Sequence, residues 1–73
     1  SNVYIVGMTL QERFTSYQGF LGISQRDLSR RLGINEATLS KIVLGHRQAS
    51  REAAIKIHKD TRGFISFKHL WDL

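Results

Sequence analysis

The chain has 73 residues, with eleven Lys and Arg against six Asp and Glu, a formal charge of +5 when the histidines are neutral. A length this short supports one small domain, whose core is near the lower limit for folding without helper devices. With no cysteine there is neither a disulfide nor a cysteine-ligated zinc site, and no apolar run approaches the roughly 20 residues of a membrane span.

The charge excess favours a polyanionic partner, nucleic acid before an anionic membrane. The plainer reading is that net charge keeps the protein soluble. The basic residues are spread from Arg13 to Lys68 and form no basic tail. The cysteine-free composition fits a reducing cytoplasm, and there is no secretory signal pattern. The chain begins Ser1-Asn2 and its one methionine is Met8, so residues 1–7 are either native or an added leader.

Val3, Tyr4, Ile5 and Val6, bounded by Asn2 and Gly7, predict a short strand near residues 3–6. Thr9 and Glu12 form a capping box, and Leu10, Phe14 and Tyr17 follow at helical spacing until Gly19 and Gly22 end the helix. Ser24 caps a second helix, with Asp27 in its first turn and Leu28 and Leu32 facing inward. Gly33 sits just past that helix, where a left-handed backbone is cheapest without a Cβ. Asn35 caps a third helix that runs to about Leu44 and is stopped by Gly45. Ser50 caps a fourth, packed through Ala53, Ala54 and Ile57 and ending near Gly63. The alternation Phe64, Ile65, Ser66, Phe67 predicts a second strand over 64–67, and His69, Leu70 and Trp71 close the chain. The two terminal strands are expected to pair as a small β element.

The third helix carries the functional signal. At about 100° per residue, Leu39, Ile42 and Val43 cluster on one side while Ala37 and Lys41 point away from them. Thr38 and Ser40 flank the outward face, and Glu36 projects from the first turn. A major groove accepts such a face, because small side chains let the helix approach the base edges. Ser29 lies four residues before Gly33, where two helices of a tight turn cross closely. Gln25, at the start of the second helix, is placed to reach a phosphate alongside the terminal N–H groups.

Gln25, Ser29, Gly33, Ile34, Leu39 and Ile42 together resemble the helix-turn-helix spacing of the lambdoid phage repressors, the Cro proteins and their bacterial relatives. The likeness is close over residues 25–45 and looser over roughly residues 9–60. Residues 61–70 look like the tail of small Cro-like regulators. Ser29 stands where the family usually has Ala, and Leu44 where it often has Asn. The resemblance implies a mainly α, lambda-repressor-like domain of four or so helices spanning 1–73. It further implies sequence-specific DNA binding by a dimer on a palindromic operator, as a transcriptional repressor of phage or bacterial type. By the same resemblance, Glu36 accepts from a cytosine amino group, Ala37 lies against a thymine methyl, and Lys41 donates to guanine N7 and O6. Thr38 and Ser40 add base contacts, and Asn35, His46 and Arg47 meet the backbone. Gln25 binds phosphate and braces Glu36.

The alternating tail offers Phe64, Phe67 and Trp71 as a dimer surface. The competing reading makes Phe67, Leu70 and Trp71 a lid on a small core. His46, His58 and His69 lack metal-ligand spacing, no phosphate-binding glycine loop occurs, and no serine sits in a nucleophile turn. The expectation is therefore no enzyme, no metal, no cofactor, no membrane and no small-molecule ligand. The expected partners are double-stranded DNA and a second copy of the chain, in the cytoplasm and on the bacterial nucleoid when bound. The alternative function is a protein-interaction module on the same scaffold, such as an antitoxin or anti-regulator.

Overall fold

The computed structural model describes residues 8–71. Five helices follow one another: α1 (Leu10–Leu21), α2 (Gln25–Leu32), α3 (Glu36–Val43), α4 (Arg51–Thr61) and α5 (Phe67–Leu70). Each of the first four begins where a short polar side chain takes an otherwise orphaned amide. Thr9 Oγ1 accepts from Glu12 N at 3.1 Å while Glu12 Oε1 accepts from Thr9 N at 2.8 Å, a complete capping box. Ser24 Oγ accepts from Asp27 N, Asn35 Oδ1 from Ala37 N and Thr38 N, and Ser50 Oγ from Ala53 N.

The turn between α2 and α3 depends on Gly33, whose φ of +69° lies in the left-handed region. There Gly33 N donates to Arg30 O and Ile34 N to Ser29 O, which closes the end of α2 and redirects the chain. Ser29 is buried, and its hydroxyl donates to Arg26 O at 2.6 Å. The crossing therefore takes a small residue that satisfies its own polar atom. One core cluster joins all five helices, with Phe14, Leu28, Leu39, Ile42, Ile57 and Ile65 essentially sealed from solvent. Tyr17 of α1, Arg31 of α2 and Asp60 of α4 add a polar clasp. The Tyr17 hydroxyl donates to Asp60 Oδ2 at 2.5 Å, and Arg31 Nε donates to the same carboxylate at 2.9 Å. Burial, then the Asp60 carboxylate, push the Tyr17 phenol above its ordinary pKa.

The tail corrects the sequence expectation. Residues 64–67 are not a strand: the chain turns through Phe64 and Ile65, and Phe67 already opens α5. Alternation over four residues is too short to separate a strand from a turn that buries one side chain. Here Arg62 (φ +53°) and Gly63 reverse the chain after α4, and the Thr61 hydroxyl takes Ile65 N at 3.1 Å. Ile65 is driven fully into the core. The strand expected at 3–6, which was to pair with it, lies outside the described residues. Among the described residues no helix is long and apolar enough to cross a membrane.

At the start of α5, Ser66 N donates to His69 Nδ1 at 3.0 Å. Burial, then the charges of Arg13 and Lys68, hold the His69 pKa below its usual value of 6.5. The fold thus favours the neutral ring. Stability tied to this group is complete above the unfolded value and is lost as pH falls through the lowered folded one. A His69→Gln variant keeps an acceptor at the third helical position, as a capping box requires, and cannot titrate. Melting temperatures taken between about pH 7 and about pH 5 are expected to fall less for the variant than for the wild type. Equal declines would mean that His69 does not couple the closing helix to pH.

Candidate nucleic-acid interface

Helix α3 is fastened by one face and free on the other. Leu39, Ile42 and Val43 are buried, so the helix cannot roll. Glu36, Ala37 and Lys41 are exposed, and Thr38 and Ser40 are half-buried at the edges of that face. The sequence-predicted base-reading residues thus share one surface. Asn35 is exposed, but its Oδ1 is committed to the two helix amides, which leaves only its amino group for an external partner. The carboxylate of Glu36 stands in the first turn, where the helix dipole favours it.

Gln25 is half-buried in the first turn of α2, and no hydrogen bond joins it to Glu36. Ser24 Oγ takes Asp27 N, so the remaining early amides of α2 are left for solvent or an anion. His46 and Arg47 are exposed in the bend that follows α3. His46 N donates to Lys41 O at 2.9 Å, tying that bend to the end of the recognition face. The one ion pair among the described residues is Arg31 with Asp60. Lys41 and Arg47 accordingly have no carboxylate partner there and offer uncompensated charge. Arg31, by contrast, is engaged by Asp60 and braces α2 against α4.

The three tail residues separate. Phe64 is 37% exposed, held by the Arg13 guanidinium 5.2 Å above its ring. Phe67 stacks between His58 at 4.9 Å and Trp71 at 5.2 Å, and both Phe67 and Trp71 pack on the core. The Trp71 indole N–H donates to Ala49 O at 2.7 Å. Phe67 and Trp71, with buried Leu70, pack over the core, and of the three residues offered for a dimer only Phe64 is exposed, with one contact to Arg13. Phe20, 84% exposed near the end of α1, was not singled out from the sequence. Its helical spacing from Phe14 and Tyr17 puts it off the buried stripe, which is the one signal that could have found it.

No group of His, Cys, Asp or Glu among the described residues is arranged to hold a metal ion. A helix-turn-helix family model matches residues 21–61, from the last residue of α1 through α4, more than half of the chain. No curated protein and no solved structure matches.

Proposed function

The chain belongs to the helix-turn-helix family of Cro and phage-repressor type, a family of DNA-binding regulators and not of enzymes, and we propose that it is a sequence-specific transcriptional repressor of phage or bacterial type. It acts in the cytoplasm as a homodimer on a palindromic operator, with α3 in the major groove. The observation that carries this reading is the division of α3: three buried aliphatic anchors on one face, and Glu36, Ala37 and Lys41 exposed on the other. Such a helix is held rigidly while presenting one small apolar side chain and hydrogen-bonding ones, the combination that direct readout needs. Glu36, Ala37, Thr38, Ser40 and Lys41 are the base-reading residues. Gln25, Asn35, His46 and Arg47 meet the sugar–phosphate backbone. Dimerisation supplies what one domain lacks, since a single recognition helix buries too little surface for a tight complex. Of Phe64, Phe67 and Trp71, Phe64 is the most exposed and is the one offered for that contact.

Selection of preferred duplexes from a random pool, followed by titration of two variants, tests the assignment. Lys41→Ala is expected to cost about 1–3 kcal/mol on the preferred site and to relax preference at one base pair. Gln25→Ala is expected to weaken preferred and random DNA alike, because phosphate contacts carry no direct sequence information. Equal losses on both DNAs for Lys41→Ala would reduce Lys41 to a backbone contact.

A further inference from the structure

We propose that the cleft between α5 and the bend after α3 is a second seat for the DNA backbone, with Lys68 as its cation beside Arg47. This rests on the DNA-binding reading above and extends the interface beyond the helix-turn-helix itself. The cleft measures about 510 Å³ and is open to solvent, a shape suited to a passing strand. Gly45, Arg47 and Gln48 line it from the bend after α3, Lys68 and His69 from α5, and Thr9 from the start of α1. Among the described residues no acidic side chain lines it, and Arg47 and Lys68 have no carboxylate partner there. Ile42 and Gly45 belong to this wall as well as to α3 and its end. Arg47, assigned above to the sugar–phosphate backbone, belongs to this wall, so a strand that meets Arg47 lies at the opening, which is why a polyanionic strand is the occupant.

The position of Lys68 is not left to a loose terminus. Its neighbours are pinned: Phe67 by stacking on His58, Leu70 by burial, and Trp71 by its hydrogen bond to Ala49 O, three residues from His46 in the same connection that carries Arg47. Lys68 itself is exposed, so only its own side-chain freedom is given up on meeting a phosphate. His69 Nδ1 already accepts from Ser66 N, which puts the proton of the neutral ring on Nε2 as a further donor.

The test compares two charge-equal variants by fluorescence anisotropy on a preferred duplex and on random-sequence duplexes. Lys68→Gln is expected to weaken both about 3–10-fold at low salt and to lower the salt slope by about 0.9 per protomer, with the ratio between the two DNAs unchanged. Lys59→Gln removes the same charge beside Arg31 and Asp60, outside the cleft, and is expected to leave the slope at the wild-type value. Lys68→Glu should weaken binding further than Lys68→Gln, and circular dichroism identical to wild type confirms that neither change acts through the fold. If Lys68→Gln and Lys59→Gln behave alike while the wild type binds, the second seat is overturned and the DNA-binding reading stands. If the wild type binds no duplex at any salt, both fall together.

Discussion

Raising monovalent salt from about 50 mM to about 200 mM is expected to weaken DNA binding by roughly two to three orders of magnitude. The chain carries a formal charge of +5, and Lys41 and Arg47 have no carboxylate partner among the described residues. On the dimer proposed above, the cationic side chains that reach the duplex are expected to neutralise on the order of four to six phosphates, each releasing about 0.9 of a counterion. Gln25 and the first amides of α2 are neutral and add contacts without steepening the slope. Anisotropy titrations of one duplex across several salt concentrations give the slope directly. A flat response would remove the nucleic-acid reading, because no other term in the binding energy carries so steep a dependence on salt. It would turn attention to the alternative of a protein-interaction module.

Deleting residues 64–73 is expected to unfold the protein. Ile65 is fully buried and Leu70 nearly so, and truncating one such side chain alone costs about 2–5 kcal/mol. The deletion also strips the stacked pair Phe67 and Trp71 from the core and leaves Ala49 O without its indole donor. The combined loss is comparable to the entire stability of a small domain, about 5 kcal/mol or a little more. Circular dichroism of the deletion should show no cooperative melt. A truncated chain that stays folded would make the tail an accessory and revive a purely intermolecular role for it. Phe64→Ser separates the two ideas, because it removes an exposed ring and a cation–π contact worth about 0.5–1 kcal/mol. That variant is expected to melt nearly as the wild type does, and sedimentation then reports whether Phe64 holds two copies together.

Most of the motif is legible in the sequence because its determinants are local. Thr9, Ser24, Asn35 and Ser50 each act on amides two or three residues away, so the helix starts follow from spacing alone. Gly33 marks the turn because the left-handed backbone it adopts strains any residue bearing a Cβ. The buried stripe of α3 is likewise a matter of helical period, and with it the outward face of Glu36, Ala37 and Lys41. The tail is different. Its four alternating residues are compatible with a strand, and what selects the turn and α5 instead lies far away along the chain: Ala49 for Trp71, His58 for Phe67, and Arg13 for the Phe64 carbonyl. The same holds for the clasp of Tyr17, Arg31 and Asp60 and for the lining of one cleft by both Lys68 and Arg47. Local hydrogen bonds have partners that periodicity and capping rules can name, whereas contacts between distant segments exist only once packing of the core has set the angles between the helices.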